Sequence, residues 1–355
     1  MTALTDPLSL RSGATLKNRF VLAPLTNLQS HPDGVLSEDE FKWLTMRAEG
    51  GFALTMTCAA SVQESGVGFP GQLGFHDARH DPGLTRLAAK IKEHGSLAVA
   101  QLHHGGLRAA KTPKAPSADE KLKAEAMTLD EIRESRDCFI EAARRAERTG
   151  FDGVELHAAH GYLICSFMSP ELNRRDDEYG GDPERRARFL FEIVDGVRAA
   201  TKPGFTLGVR LSPERWGLDL LEIRDVAQRL LREARIDFLD MSLWDVRKEP
   251  SDEKLRGRTL ASYFTELERG GVRLGAAGKI MSAQDARDAI AAGFDFPMLG
   301  RAAILHHDFP KRVAADPEFA AIATPVSEAH LRQEGLGGAF VNYMRTWQGF
   351  VEEPA

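Results

Sequence analysis

Short apolar runs, rich in β-branched and aromatic residues, alternate with amphipathic helical stretches from one end of the chain to the other. Eight such runs are interpreted as strand cores, at residues 20–26, 52–62, 96–104, 151–157, 206–212, 238–244, 272–280 and 296–299. Each run is apolar almost throughout rather than at every second residue, which is typical of parallel strands covered on both faces. The alternation therefore predicts an α/β fold built from eight β–α units.

The intervening helical stretches carry recognisable start and stop signals. In a capping box, a side-chain hydroxyl accepts a hydrogen bond from a free backbone N–H while a carboxylate reaches back to the cap. Proline fits the first helical position, and glycine commonly follows the last one. The predicted helix starts are Ser37 with Glu40, Thr128 with Glu131, Asp182 before Pro183, and Ser282 with a stop at Gly293.

A closed barrel and an open doubly wound sheet can both be built from such units. An open dinucleotide-binding sheet carries a GxGxxG turn after its first strand, and no such turn follows residues 20–26. We therefore expect a single (β/α)8 TIM-barrel domain over residues 1–355. Three segments fall outside the repeat: a predicted N-terminal hairpin at 6–18, a capping excursion at 105–127 after the third strand, and a C-terminal extension at about 324–355.

Composition excludes several classes of protein. The formal charge of −6 over 355 residues gives no basic surface for nucleic acid. The cysteines, Cys58, Cys138 and Cys165, form neither a CxxC pair nor a disulfide framework, which favours a reducing compartment. The first residues lack the apolar segment of a secretion signal, and no apolar run approaches the length of a membrane span. We expect a cytoplasmic protein that binds neither nucleic acid nor membrane.

Residues with reactive or ligand-binding chemistry cluster where the predicted strands end. In barrels of this type the active site lies at the C-terminal ends of the strands, where the βα loops meet. We expect one ligand to contact the whole set. In chain order, these residues are Ala23, Pro24, Thr26, Ala59, Gln101, His103, His104, His157, His160, Tyr162, Arg210, Gly278, Gly300 and Arg301.

Several motifs around these residues resemble one family. "LKNRFVLAPLT", "VAQLHHGGLR", "GVELHAAHGYLICSFMSPELNRRDDEYGGDPERRARF", "GVRLSP" and "MLGRAAI" are similar to segments of the Old Yellow Enzyme family of FMN-dependent NAD(P)H:flavin oxidoreductases. The resemblance runs from about residue 6 to residue 316 and is most specific over 153–189. A lone GR pair or HxxH would be weak, whereas the ordered set at seven of the eight strand ends is a specific signal.

The resemblance implies residues that hold FMN. Gly278 and Gly300 would let the backbone approach the phosphate, while Arg301 offers it a bidentate fork. Arg210 would stabilise negative charge on the reduced ring, and Gln101 would hold the ring by amide hydrogen bonds. The rest of the expected cofactor site consists of Ala23, Pro24, Thr26 at the flavin O4, and Ala59, with Ala60 an alternative one residue on.

The resemblance also implies the chemistry of residues 157–162. His157 and His160 would donate hydrogen bonds to the carbonyl oxygen of an electron-poor alkene, on which negative charge grows during hydride transfer. Tyr162, a phenol that is protonated at neutral pH, would then protonate the α-carbon. NAD(P)H is the expected reductant, and α,β-unsaturated carbonyl or nitro compounds are the expected substrates.

Simpler interpretations of the histidines exist. His157 and His160 could bind a metal with Cys165, but nothing at recognisable spacing completes a zinc set, so we predict no metal. They could also be structural, bonding loop carbonyls at the rim; the matching residues at the other strand ends favour the catalytic interpretation. His103 and His104 are assigned no catalytic role.

Two positions depart from one branch of the family, and a third matches a feature of some relatives only incompletely. Thr26 and Leu28 stand where that branch has cysteine and a tyrosine that closes over the substrate, so Leu28 is expected at the substrate site with altered preference. Some relatives insert an arginine from a partner subunit; Arg345 is a candidate here, in a homodimer or higher assembly. Trp216, Trp244 and the loop at 105–127 are expected to shape the pocket.

The leading functional hypothesis is an ene-reductase that moves hydride from NAD(P)H through FMN to an activated C=C bond. Larger iron–sulfur relatives are disfavoured by the chain length and the absence of a cysteine cluster. A flavin-dependent tRNA reductase is disfavoured by the acidic balance. The alternative from another class is a flavin-binding redox protein or sensor without significant alkene turnover.

Overall fold

The computed structural model describes residues 3–353, and eight parallel strands in that range close into a barrel. Around the barrel the strands follow the order β10-β11-β12-β3-β4-β5-β8-β9. In chain order the twelve strands are β1 (Leu8–Ser9), β2 (Thr15–Leu16), β3 (Val21–Leu22), β4 (Leu54–Ser61), β5 (Leu97–His103), β6 (Lys114–Ala115), β7 (Glu125–Ala126), β8 (Gly153–Ala158), β9 (Thr206–Leu211), β10 (Phe238–Ser242), β11 (Arg273–Ala277) and β12 (Phe296–Leu299). The predicted TIM barrel is confirmed.

Helices connect successive barrel strands and cover the outside of the barrel. They are α1 (Glu38–Glu49), α2 (Asp81–Glu93), α3 (Leu129–Arg148), α4 (Leu163–Met168), α5 (Pro183–Ala200), α6 (Leu220–Glu233), α7 (Ser262–Thr265), α8 (Ala283–Ala291), α9 (Arg301–Leu305), α10 (Phe309–Ala315), α11 (Glu328–Gln333) and α12 (Gly338–Arg345). Short 3-10 turns lie at Glu64–Gly66, Ala78–His80, Gly106–Arg108 and Glu253–Leu255. No helix among residues 3–353 is long and apolar enough to cross a membrane.

The predicted helix caps are observed with one correction. Thr128 with Glu131 forms a full capping box, Asp182 caps α5, and Ser282 forms a box with Asp285. Ser37 accepts a hydrogen bond from the Glu40 backbone N–H, but the Glu40 side chain does not reach back. It turns into the core instead, where it accepts hydrogen bonds from Asn27 and Ser30, so the predicted Ser37–Glu40 capping box is wrong.

The first barrel strand is shorter than predicted, for a covalent reason. The ladder ends at Leu22, and the Ala23 N–H makes one last bond to the Leu299 carbonyl. Pro24 follows and has no N–H with which to continue a ladder. Residues 23–29 are therefore released from the sheet and turn over the rim.

The floor of the barrel is closed by the N-terminal hairpin. Leu8 and Leu16, from the antiparallel pair β1–β2, belong to the same apolar cluster as the inward-facing side chains Val21, Met56 and Phe238. The glycine Gly208 makes room for one of them, because a Cβ atom there would lie 2.1 Å from the Phe238 ring. With its lower layers filled, the barrel offers ligand space at the opposite end.

Candidate active site

Two adjoining cavities lie at the C-terminal rim of the barrel and share six lining residues. The first, about 400 Å³, is called the glycine-side cavity and includes Ala23, Gly278, Lys279, Gly300 and Arg301 in its wall. The second, about 520 Å³, is called the histidine-side cavity. Its wall includes Thr26, Ala59, Gln101, Arg108, His157, His160, Tyr162 and Trp216. Common to both are Pro24, Leu25, Arg210, Ser242, Trp244 and Trp347.

Nearly every residue predicted for the site therefore reaches one continuous space. Of the two alanines considered for the second strand, Ala59 lines the histidine-side cavity, whereas Ala60 packs into the core between barrel and helices. Leu28, His103 and His104 are the exceptions, since they line neither cavity. The φ of Leu28, +58°, is in the left-handed region, so the backbone turns sharply there. A place for Leu28 at the substrate remains a prediction.

His157 and His160 form one end of a directional hydrogen-bond chain. The Ala159 N–H donates to His157 Nδ1 at 3.3 Å, which leaves the proton of a neutral His157 on Nε2. His157 Nε2 lies 3.1 Å from His160 Nδ1, and His160 Nε2 lies 2.7 Å from Ser242 Oγ. Arg210 Nη2 donates to the same hydroxyl at 3.3 Å. The chain links the two imidazoles to the arginine at the centre of the site.

Both imidazoles are neutral at physiological pH. Burial is the main cause that lowers the pKa of His157 and of His160 well below the ordinary value, and the positive charge of Arg210 acts in the same direction. Each ring therefore carries a single N–H, and the hydrogen bonds of its other nitrogen decide where that proton sits. His160 is held by its backbone too, since its N–H donates to Ser212 Oγ at 3.0 Å.

Tyr162 stands beside the histidines as a protonated phenol. Its ring centroid is 5.0 Å from that of His157 and 4.3 Å from that of His103, with edge-on geometry in both cases. Burial raises the pKa of Tyr162, and the neighbouring Arg108 cation partly opposes that shift. The residue therefore keeps a proton to donate near neutral pH.

His103 and His104 support the loop after β5. Gln72 Nε2 donates to His103 Nδ1 at 2.9 Å, and the Gly106 N–H donates to His104 Nδ1 at 3.1 Å. Burial lowers the pKa of His103 to about 3 and that of His104 to about 4, so both are neutral. Neither lines the two cavities. Their contacts favour a structural role.

Two buried carboxyl groups stand behind the central polar side chains. Gln101 Nε2 donates to Glu155 Oε1 at 2.7 Å, and Arg210 Nε lies 2.9 Å from Asp240 Oδ2. Both acids are fully buried, and burial raises the pKa of each; the charge of Asp240 further raises that of Glu155. Glu155 thus fixes the amide of Gln101 by a hydrogen bond, and Asp240 lies within ion-pair distance of Arg210.

The glycine-side cavity has the donors that a phosphate needs. The backbone N–H groups of Gly278, Lys279 and Gly300 donate to no backbone carbonyl within residues 3–353. Arg301 opens helix α9 and is exposed, with no carboxylate partner in that range. Free N–H groups at a turn and a free guanidinium together fit a dianionic group. The loops after the seventh and eighth strands are the usual phosphate position in such barrels.

Several site residues were not predicted from the sequence. Ser242 sits at the end of β10, Arg108 on the excursion after β5, and Tyr343 in helix α12. The α12 segment is anchored over the rim, because the Gly337 N–H donates to Gln29 Oε1 at 2.7 Å. Glu155 and Asp240 had a readable signal: each is the single acidic residue of its strand.

The described residues hold no group of three or more histidine, cysteine or acidic side chains that could bind a metal ion. Cys165, considered above as a third ligand, is fully buried in α4, and burial raises its thiol pKa to about 12. In the part of the chain that the structure describes, the barrel has free backbone N–H groups and an arginine at one end of its rim, and histidines, a tyrosine and arginines at the other. This arrangement is typical of flavin-dependent barrel oxidoreductases.

The chain belongs to the NADH:flavin oxidoreductase / NADH oxidase family, the Old Yellow Enzyme family, whose model matches residues 3–318. It is therefore an NAD(P)H-dependent flavin oxidoreductase. It is 36% identical over 326 residues to the probable NADH-dependent flavin oxidoreductase YqiG of Bacillus subtilis (strain 168), covering 87% of each chain.

Solved structures of relatives share the fold of this chain. Morphinone reductase in complex with tetrahydroNAD superimposes with a TM-score of 0.80 at 27% identity, covering 97% of this chain and 96% of that one. A 2-naphthoyl-CoA reductase matches with a TM-score of 0.80 and 27% identity over 88% of this chain, which spans 52% of that longer protein.

Proposed function

We propose that this protein is an FMN-dependent ene-reductase that transfers hydride from NAD(P)H to the C=C bond of α,β-unsaturated carbonyl or nitro compounds. The observation that carries the proposal is the convergence of His157, His160 and Tyr162 on the cavity that Arg210 and Gln101 also line. A cofactor-binding protein without turnover has no need of a proton donor beside two oxyanion donors.

The residues present fit FMN. Arg301 and the free N–H groups of Gly278 and Gly300 would hold its phosphate, and Arg210 with Gln101 would meet the pyrimidine edge of its ring. When bound, FMN supplies a carrier that accepts hydride from NAD(P)H and passes it on. Ala23, Pro24, Thr26 and Ala59 complete the wall beside it.

The histidine pair can become a two-donor site by a change of tautomer. The change requires His160 to release its Nε2 proton to solvent and to take one up at Nδ1. Ser242 Oγ, which accepts from Arg210, can then donate its own proton to His160 Nε2. His160 then carries its proton on Nδ1, facing the space between the rings, where the Nε2–H of His157 already points. Two N–H groups cannot face each other across 3.1 Å, so the rings would have to move apart. An alkene carbonyl oxygen bound against both would then receive both hydrogen bonds as its negative charge grows.

Tyr162 completes the reaction by giving its proton to the α-carbon, and solvent returns one to the phenol at the cavity mouth. Of the two carboxyl groups behind the wall, Glu155 holds Gln101 by a hydrogen bond, and Asp240 attracts Arg210 as an ion-pair partner. Fixed donors need no reorganisation during the reaction, which is the source of their catalytic effect.

Stopped-flow measurement of the two half-reactions tests the proposal. Purified protein should bind FMN, be reduced by NADPH or NADH, and be reoxidised by cyclic enones, maleimides or nitroalkenes. Failure to bind FMN contradicts the proposal outright. Reduction by NAD(P)H with no reoxidation by any activated alkene would instead favour a flavin-binding redox protein or sensor.

Two further expectations belong to the proposal. We expect residues 1–355 to act as one FMN-binding domain in the cytoplasm, without nucleic-acid or membrane partners. A homodimer or higher assembly stays a prediction, as does a reach of Arg345 into a neighbouring site; within the chain, Arg345 pairs with Glu328 of α11 at 2.6 Å.

A further inference from the structure

Three arginines within residues 3–353 have neither a carboxylate within ion-pair distance nor a backbone carbonyl acceptor: Arg108, Arg215 and Arg301. Other arginines are engaged, such as Arg145 with Asp81. All three free guanidinium groups lie around the rim cavities. Arg301 belongs to the glycine side and fits the cofactor phosphate. Two free cations therefore remain at the other end, where no phosphate of FMN is expected.

Arg108 is held beside the proton donor. Its guanidinium carbon lies 5.5 Å from the centroid of the Tyr162 ring, and its side chain lines the histidine-side cavity. The turn that carries it is fixed, because the Gly105 N–H donates to the Gly66 carbonyl at 2.7 Å and the Ala110 N–H to the Val67 carbonyl at 2.8 Å. The backbone thus presents an exposed cation at a defined place.

Arg215 lies further out on the same mouth. Its guanidinium carbon is 4.8 Å from the Trp244 ring centroid and 5.6 Å from that of Trp216. It does not line the histidine-side cavity itself. Trp216 does, with its ring centroid 5.5 Å from that of His160. Arg215 is therefore a neighbour of the entrance rather than of the reacting carbon.

We propose that Arg108 binds a carboxylate carried by the alkene, so that the preferred substrates are anionic electron-poor alkenes. This inference rests on the proposed function above. The wall of the histidine-side cavity contains two arginines and no aspartate or glutamate among the described residues, so an anion is attracted there. A planar guanidinium is suited to hold a carboxylate through two parallel hydrogen bonds.

The position of Arg108 also indicates which part of the substrate it binds. Tyr162 delivers its proton to the α-carbon, so a group attached to that carbon lies close to the phenol. A carboxylate one or two bonds further on comes within reach of a guanidinium packed beside the same ring. The phosphates of a nicotinamide dinucleotide are the other anion that could use this cation, and the experiment below separates the two.

The test compares 2-(carboxymethyl)cyclohex-2-enone with its uncharged analogue 2-(carbamoylmethyl)cyclohex-2-enone on the FMN-loaded enzyme. Arg108→Gln should raise KM for the acid about ten- to hundredfold, which corresponds to one lost charge-assisted hydrogen bond. It should change KM for the amide less than twofold. Arg108→Lys should restore only part of the effect, since an ammonium lacks the planar fork.

Matched controls separate contact from general attraction. Arg215→Gln removes the other free cation at the mouth, and Arg224→Gln removes an exposed arginine on α6 that pairs with Asp225. Both should leave the ratio of KM values for acid and amide within twofold of wild type. If Arg215→Gln raises KM for the acid as much as Arg108→Gln does, the charge acts only by long-range steering and the proposal is wrong.

An equilibrium measurement gives a readout independent of turnover. 4-Hydroxybenzoate and 4-hydroxybenzamide can be titrated by flavin difference spectra, and Arg108→Gln should weaken only the acid. Arg108→Gln could instead raise the NADPH concentration that half-saturates flavin reduction and leave the ratio of affinities for acid and amide unchanged. That result would assign Arg108 to the reductant and overturn the proposal. Turnover of both enones without any wild-type preference for the acid also overturns it, while the ene-reductase function stands.

Discussion

His157 Nε2 and His160 Nδ1 lie 3.1 Å apart, and the proton between them comes from His157, because its Nδ1 already accepts the Ala159 N–H. The facing nitrogens of the two rings thus satisfy each other's hydrogen bonding until His160 changes tautomer. Ser242, the partner of His160 Nε2 at 2.7 Å, can stabilise the changed tautomer by switching from acceptor to donor. Its hydroxyl is therefore expected to control how the pair polarises a substrate.

Ser242→Ala should slow alkene reduction about tenfold or more, since His160 then loses the partner that turns its N–H toward the substrate; a single oxyanion donor contributes about 2.7–4 kcal/mol in a well-studied case. Stopped-flow reoxidation by cyclohexenone measures this step. Ser242→Thr keeps a hydroxyl and should recover most of the rate. Equal rates for the alanine and threonine variants would contradict a role for the hydroxyl.

Tyr162→Phe should slow reoxidation by enones about 10²- to 10⁴-fold, the usual contribution of a positioned general acid. Reduction of the flavin by NAD(P)H needs no proton from this phenol and should change little. Both half-reactions are followed by flavin absorbance on the same sample. A similar loss in each half-reaction would show that Tyr162 positions the cofactor rather than donating a proton.

Arg301→Gln should weaken FMN binding about ten- to hundredfold, because it removes a charge-assisted hydrogen bond to the phosphate. Since Arg301 is exposed and has no carboxylate partner in the described chain, the fold should be unaffected. Calorimetric titration of apoprotein with FMN measures the change. Titration with riboflavin, which lacks the phosphate, should give the same affinity for the variant and the wild type.

Glu155→Gln should alter how stability depends on pH. Burial raises the pKa of Glu155 in the folded protein, so the folded state retains a proton that the unfolded chain releases above the ordinary glutamate pKa of about 4.3. The contribution of Glu155 to the free energy of unfolding should therefore fall as pH rises above that value, a loss that Asp240 adds to in the same direction.

The glutamine variant should show a flatter pH profile of unfolding free energy, measured by urea titration from pH 5 to pH 9, and be relatively more stable at the alkaline end. Glu268→Gln, at an exposed position, is the control and should follow wild type. A variant profile as steep as wild type would mean that Glu155 is ionised in the folded protein.

The barrel and most of the rim could be predicted because both follow from one regularity. Parallel strands end at a common edge, so residues just beyond the apolar runs, from Thr26 to Arg301, had to meet there whatever the details of packing. The glycine and arginine at the eighth strand, and the histidines after the fourth, occupy that edge.

What could not be predicted depends on side-chain direction rather than on position along the chain. Leu28 has a left-handed backbone and lines neither cavity, so its expected place at the substrate stays a prediction. Glu40 has the spacing of a capping box, yet its carboxyl finds Asn27 and Ser30 in the core. Arg108 lies in an excursion whose path over the rim is set by contacts distant in sequence.

The hairpin that plugs the barrel floor has a kinetic consequence. With Leu8 and Leu16 filling the bottom, hydride donor and hydride acceptor are both expected to enter from the rim and to use the histidine-side cavity. They would then take turns, so double-reciprocal plots at several fixed concentrations of one should be parallel lines, and an excess of either should inhibit the other.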